Sequence, residues 1–268
     1  MKKSFWKKIL SAAVIALVCS CSADEIKLLT YNIHACIGLD KKMDPARIAE
    51  VIRKTGADTV ALQEVDKMTK RTNSDQAAVI AKALGYHHLF GKAIDRQGGE
   101  YGNAVVSRYP LELIDNFAIP RKHEKRCVLV VKVLAPRPYY VLATHFDHTK
   151  QAEDFRVKCA QIIKEYLEKN PQCQPAFLMG DLNSLFQSKP IRALRDAGFR
   201  FFNDCDPAML SFPAGKPKGD PKWLLDYIAL WQGEKAELKS CYVVNEPVAS
   251  DHRPVFAHLV LPQEDAGK

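Results

Sequence analysis

The sequence predicts an α/β protein in which two packed β-sheets are covered by helices. Many short runs rich in Val, Ile, Leu and aromatic residues are separated by turn formers, and few stretches carry a helical apolar stripe. No repeat or Gly/Ser linker divides the chain between about residues 26 and 261. So many strands with so few helices must bury their apolar faces sheet against sheet. The 268 residues, 47% hydrophobic and 26% charged, supply a sizeable core and exclude a disordered composition.

Residues 1–21 read as a signal peptide of the lipoprotein type. Lys2, Lys3, Lys7 and Lys8 precede an apolar run over residues 9–18, which is shorter than the roughly 20 residues of a membrane span. Val18-Cys19-Ser20-Cys21 is similar to a bacterial lipobox, with Cys21 as the lipidated residue; Cys19 is not the preferred residue there, and cleavage after Ala23 is the alternative. An exported protein of the bacterial envelope is expected, periplasmic or an outer-membrane lipoprotein, touching the membrane through Cys21. The leader carries four lysines and no acid, so a formal charge of +8 becomes +4 in the mature chain. That mild excess lacks the concentrated basic face of a nucleic-acid binder. The densest run, Arg121-Lys122-His123-Glu124-Lys125-Arg126, is either a solvated loop or a basic rim that attracts an anionic substrate.

Residues 25–262 then read as one domain, expected to be a monomer. Residues 26–33 form a strand. Asp44-Pro45 opens a helix as capping acid and first-turn proline, Ile48, Val51 and Ile52 make its stripe, and Gly56 ends it. Residues 59–62 form a buried strand, and a second helix runs from about residue 75 to 84, before Gly85. Strands follow at 104–107, 111–118, 127–134 and 139–144, consecutive and so antiparallel in part. Phe155, Cys159, Ile162, Ile163 and Tyr166 define a longer helix. Strands close the chain at 176–179, 224–230, 241–244 and 255–261. Eight cysteines include no C-x-x-C pair, so neither a zinc knuckle nor a redox motif is signalled. The six beyond the leader, Cys205 among them, are permitted disulfides by export, yet several suit the core.

Polar residues recur at the strand ends: Asn32 in LTYNIH, Glu64 in ALQEVD, Asn103 in YGNAVVSR, His145 and Asp147 in ATHFDH, Asp181 and Asn183 in MGDLNS, Asp226 in WLLDYIAL, and Asp251-His252 in SDHRPV. Each has an ordinary reading by itself. Glu64 suits a solvated strand end, His145 a satisfied core histidine and Asp251 a cap. Gly180, Asp181, Asn183 and Ser184 are all turn formers. Asp226 differs, because an acid inside an apolar run requires a partner or a metal.

The order and context of these motifs resemble the endonuclease/exonuclease/phosphatase superfamily over nearly the whole mature chain. Within it the chain looks most like bacterial metal-dependent hydrolases of unassigned substrate. The resemblance implies a four-layer α/β sandwich of two mixed, mostly antiparallel sheets flanked by helices. It also implies that Asp181 directs the attacking water and Asn183 touches the scissile phosphate, both presented on one strand face. Asn32, Glu64 and Asp251 resemble the metal site, where oxygen donors suit Mg²⁺ or Mn²⁺. His145 and His252 would complete the anion cradle, with Asp251 orienting His252. Asn103 would support the phosphate contacts, Asp226 would lie near the leaving group or Asn183, and Glu100 would pair with His145. After Asn32, the chain has Ile33-His34 where several nucleases carry an acid, and Ala35-Cys36 where near relatives have glycine. The stretch over residues 211–222 is a mouth loop or a surface excursion, and Tyr101, Phe212 and Trp223 wall a pocket or fill the core.

The implied activity is phosphodiester or phosphomonoester hydrolysis, acting on lipid head groups, inositol phosphates or nucleic acid. Three alternatives stand beside it. One is a nuclease acting on DNA or RNA. Another is a lipoprotein that binds a phosphorylated ligand without turnover. The third is a dizinc hydrolase, suggested by His145-Phe146-Asp147-His148 but lacking the first histidine of that box.

Overall fold

A computed structural model describes residues 24–203, 206–232 and 236–261. The leader over residues 1–21 with Cys21, the alternative cleavage at Ala23, and Cys205 lie outside the described residues. Elements follow in the order β1 (Asp24–Asn32), α1 (Pro45–Thr55), β2 (Thr59–Lys67), α2 (Gln76–Leu84), β3 (His87–Arg96), β4 (Gly99–Ser107), β5 (Leu111–Ile119), β6 (Arg126–Val133) and β7 (Tyr139–His145). Then come α3 (Glu153–Lys169), β8 (Ala176–Asp181), α4 (Lys189–Asp196), β9 (Arg200–Phe201), β10 (Asp226–Leu230), β11 (Glu237–Val243) and β12 (Val255–Leu261).

The strands form two six-stranded mixed sheets, β11-β12-β1-β2-β4-β3 and β5-β6-β7-β8-β10-β9. Each has one parallel pair near its centre, β1 with β2 and β7 with β8, connected through α1 and α3 respectively. Strand alternation sorts the side chains into layers. From β1, Ile26 and Leu28 enter the core between the sheets, together with Val105, Val131, Val141, Phe177 and Ile228. The alternate residues Leu29 and Tyr31 pack under α1 and α2. Val128, Leu142 and Leu178 of the second sheet lie with α3 and α4 on its outer face. Four layers result, as the family resemblance implies. No helix among the described residues is long and apolar enough to cross a membrane.

The caps read from sequence are present. Asp44 Oδ1 accepts from Arg47 N at 2.9 Å and Asp75 Oδ1 from Ala78 N at 3.0 Å, while Gly56 and Gly85 close their helices at φ 67° and 72°. Three elements went unread. β3 is a half-exposed edge strand without clean alternation, α4 has only eight residues, and β9 has two. β10 also starts at Asp226, two residues later than expected, so this acid opens the strand. Cys36, Cys127, Cys159 and Cys173 are buried free thiols.

Candidate active site

Strand register assembles half of the site. In the second sheet His145 of β7 stands beside Asp181 of β8, and Asp181 beside Asp226 of β10. A Cβ at position 180 would lie 1.9 Å from Thr144 O on β7, so only glycine lets β8 approach closely enough to make this row. In the first sheet Asn32 ends β1, and Glu64 sits in a β2 bulge where the register shifts between Leu62 and Val65. Glu64 has φ 59°, a left-handed conformation that costs an L-residue about 1–2 kcal/mol. Bulges re-aim side chains in this way, and Glu64 lines a cavity of about 660 Å³ shared with His145, Asp181, Asp251 and His252.

The Asn32 amide joins the two sheets at the site. Asn32 Nδ2 donates to Glu64 Oε1 at 3.0 Å and to Asp181 Oδ2 at 3.2 Å, and Asn32 Oδ1 accepts from His34 N at 3.1 Å. Asn32 was expected among the metal ligands. In this orientation its nitrogen is a donor shared by two carboxylates and its oxygen is turned to the backbone, so it spaces the acids instead. His34, Ala35 and Cys36 follow it with φ of 46°, 52° and 59°, a left-handed turn built without glycine. Gln76 braces that turn, donating from Nε2 to Ala35 O at 2.6 Å and accepting from Asp66 N at 2.9 Å.

Two buried histidines flank Asp181 Oδ2, His145 Nε2 at 3.4 Å and His252 Nε2 at 3.7 Å. Their charge states are opposite. Burial, Arg126 and the neighbouring His252 push His145 well below its usual pKa. Arg126 Nη1, which can only donate, faces His145 Nδ1 at 3.4 Å, leaving the proton on Nε2. Burial would also lower His252, but Asp226 and Asp181 outweigh it and hold His252 up at about 10. Burial raises the Asp181 carboxyl well above the usual carboxylate range; His252 opposes that and Asp226 reinforces it.

Several residues stand otherwise than expected. The partner of His252 is Asp226, with Nδ1 and Oδ2 2.8 Å apart, and Ser211 Oγ donates to the same oxygen at 2.6 Å. Asp251 adjoins His252 in sequence and its charge also favours the imidazolium, but its own closest contacts lie elsewhere. Its Oδ2 accepts from Lys218 Nζ at 2.6 Å and its Oδ1 lies 3.9 Å from His34 Nδ1. Asn183 does not share a strand face with Asp181, because β8 ends at Asp181. A turn brings it round, with Asn183 N donating to Asp181 Oδ1 at 2.8 Å and Asn183 at φ 45°. Asn183 still lines the cavity. Asn103 does not; its amide nitrogen ties the sheets together, donating to Cys127 O at 3.1 Å and Ala143 O at 3.4 Å. Glu100 pairs with Lys67 and Lys92, not with His145. Tyr101 is buried under Arg96, whereas Phe212 and Trp223 do wall the cavity, stacked with centroids 5.9 Å apart. The 211–222 stretch is therefore a mouth loop. Ser211 and Lys218 carry no signal of their own in the sequence, since each acquires its role from a partner distant in sequence, whereas Arg126 ends the basic run read as a solvated loop or a basic rim.

Asp147 is spent on structure, which removes the dizinc box. Its Oδ2 accepts from Lys122 N and His123 N at 2.9 and 3.0 Å, and its Oδ1 accepts from Thr149 N and Oγ1 at 2.9 and 2.8 Å. Burial would raise its carboxyl, but these donors hold it well below the usual range. Because the folded pKa is depressed, this stabilisation is present above the unfolded value of about 3.9 and is lost as pH falls further. Asp147→Ala should cost about 2 kcal/mol in urea denaturation at neutral pH, and markedly less in acid.

The donor set fits a hard divalent cation. Asp181, Asp226 and His252 have ligand atoms within 4.8 Å of one another, although the bond to Asp226 makes His252 an ion-pair partner more than a ligand. Asp226 Oδ1 and Asp251 Oδ1 are buried without a hydrogen-bond partner. Such oxygens call for a cation, and Glu64 and Asp251 line the same cavity.

The profile described as Endonuclease/Exonuclease/phosphatase family matches residues 29–252. An exodeoxyribonuclease of Bacillus subtilis (strain 168) is 22% identical over 261 residues, covering 86% of this chain and 98% of that protein. The crystal structure of an endonuclease/exonuclease/phosphatase from Beutenbergia cavernae superposes with TM-score 0.71 at 23% identity, covering 91% of this chain and 73% of the other. A mannosyl-6-phosphatase of Bacteroides thetaiotaomicron superposes with TM-score 0.66 at 17% identity, covering 88% and 99%. At these identities the superpositions show a shared fold, and the profile match spans most of the chain. Taken with a cleft that gathers acids and histidines at the strand ends, this makes the chain a member of the endonuclease/exonuclease/phosphatase family, whose members are hydrolases acting on phosphoester bonds.

Proposed function

We propose that this chain is an exported Mg²⁺- or Mn²⁺-dependent phosphoesterase that hydrolyses a phosphodiester or phosphomonoester by in-line attack of water. The observation that carries it is the Asn32 amide holding Glu64 and Asp181 together in one cavity, with a histidine on each side of Asp181. Asp181 positions the water and accepts its proton, a task suited to a carboxyl whose buried setting raises its proton affinity. His252, charged through Asp226, and the Nε2–H of His145 donate to phosphoryl oxygens. Asn183 has one amide hydrogen on Phe146 O at 3.0 Å and offers the other to the phosphate. A divalent ion held by Glu64 and Asp251 would polarise a phosphoryl oxygen and offset the charge that builds on phosphorus.

A cavity of about 660 Å³ walled by Leu185, Phe212 and Trp223 suits a small phosphoester, and the mannosyl-6-phosphatase neighbour favours the same choice. The exodeoxyribonuclease relative favours a nuclease instead. The basic start and apolar run at the N-terminus support export with a lipid on Cys21 at the envelope. The test is phosphate or p-nitrophenol release from p-nitrophenyl phosphate, bis(p-nitrophenyl) phosphate, inositol phosphates, sphingomyelin and plasmid DNA, in EDTA and with Mg²⁺ or Mn²⁺ restored. Cleavage that EDTA abolishes and that Glu64→Ala lowers by at least ~10²-fold is expected. Cleavage of DNA alone would establish the nuclease, and binding of inositol phosphate without any cleavage would establish a ligand-binding lipoprotein.

A further inference from the structure

Acidic and basic side chains share the cavity. Glu64, Asp181 and Asp251 line it together with His148 and Lys150, which follow β7 and stand exposed at its surface. Neither His148 nor Lys150 makes an ion pair or hydrogen bond among the described residues. Arg126 also lines the cavity. Its carboxylate partner Glu124, at 2.9 Å, is shared with Arg96 at 3.1 Å, and Arg126 Nε is buried without an acceptor.

The backbone that carries His148 and Lys150 is held in place. Asp147 fastens the basic loop at Lys122 and His123 to Thr149 through its four hydrogen bonds. Arg156 of α3 donates from Nη1 to Asp147 O at 2.7 Å and to Thr149 O at 2.8 Å. The residues on either side of Thr149 are His148 and Lys150, so six hydrogen bonds hold the backbone from which both side chains reach the cavity. The Lys150 ammonium has no carboxylate partner among the described residues, and an anionic group on a substrate in the cavity would supply one. The phosphoesterase reading uses His145, Asp181, Asn183 and His252 and leaves this pair unemployed.

We propose that His148 and Lys150 form a second anion subsite, which binds a phosphate of the substrate other than the one hydrolysed. The preferred substrate is then a small molecule carrying at least two phosphates, a class the cavity volume accommodates. The inference rests on the phosphoesterase reading and narrows its substrate.

The test compares kcat/KM with Mg²⁺ for glucose 6-phosphate against glucose 1,6-bisphosphate, AMP against adenosine 3′,5′-bisphosphate, and an oligothymidylate, using wild type, Lys150→Met, Lys150→Arg and His148→Gln. A charge-assisted contact predicts that wild type favours a bisphosphate by about tenfold or more. Lys150→Met should remove that preference through a raised KM, and Lys150→Arg should keep most of it. Lys150 is exposed, so the variants are expected to fold as wild type does. Equal losses on both members of each pair, or no wild-type preference, would overturn the subsite. An oligothymidylate preferred over both bisphosphates would overturn the small-molecule class. If nothing is hydrolysed, the phosphoesterase reading fails separately, and calorimetry with inorganic phosphate and each bisphosphate decides the subsite. Tighter bisphosphate binding lost in Lys150→Met supports it, and equal binding overturns it.

Discussion

Asp181→Asn is expected to lower kcat by about 10²–10⁴-fold, the range for loss of a positioned proton acceptor. The substitution keeps the shape of the side chain and an oxygen that can accept from Asn183 N, now at 2.8 Å, so the turn after β8 should persist. What disappears is the carboxylate that faces His145, His252 and Asn32. KM should change far less than kcat, because the lost interaction is made as water attacks. Steady-state kinetics on bis(p-nitrophenyl) phosphate, with urea denaturation as a control for folding, measure both. A variant that folds normally and retains a third of wild-type kcat would remove Asp181 from the proposed chemistry.

Loss of His252 should rank next. His252→Ala removes a charged donor aimed at the phosphate and should lower kcat by about 10²–10³-fold. Since Asp226 and Asp181 hold His252 at about 10, the wild-type rate should fall only as pH rises through that value. Asp226→Asn takes away the hydrogen-bonded carboxylate, so His252 loses its proton at lower pH and the alkaline limb should move towards neutrality. Stability follows the same sign. A folded pKa above the unfolded value of about 6.5 stabilises fully below about 6.5, and the contribution is lost as pH rises through the folded value. Rate profiles of wild type and Asp226→Asn, with denaturation midpoints at near-neutral and alkaline pH, check both effects. An alkaline limb unmoved by Asp226→Asn would show that His252 does not carry the charge.

The elements legible along the chain are those set by short-range chemistry. Asp44 and Asp75 announce helix starts because a cap bonds an amide three residues on, and Gly56 and Gly85 announce ends because only glycine takes their backbone conformation without penalty. β3 escaped notice because an edge strand with exposure on both faces has no alternation to display, and α4 because eight residues give barely two turns. The acids and histidines of the site were visible as polar residues at the ends of apolar runs. Their pairings were not: His252 turned to Asp226, 26 residues away, while Asp251 next to it turned to Lys218.

The sequence by itself determined the layers, the strand and helix classes and the kinds of side chain available for chemistry, because alternation, caps and turns act within a few residues. Tertiary structure decided which of those side chains meet. Register set His145, Asp181 and Asp226 in a row, a bulge aimed Glu64, and sheet packing brought Asn32 across to Asp181. Charge state depends on those neighbours and on exclusion of water, so two histidines of the same intrinsic chemistry end on opposite sides of neutrality.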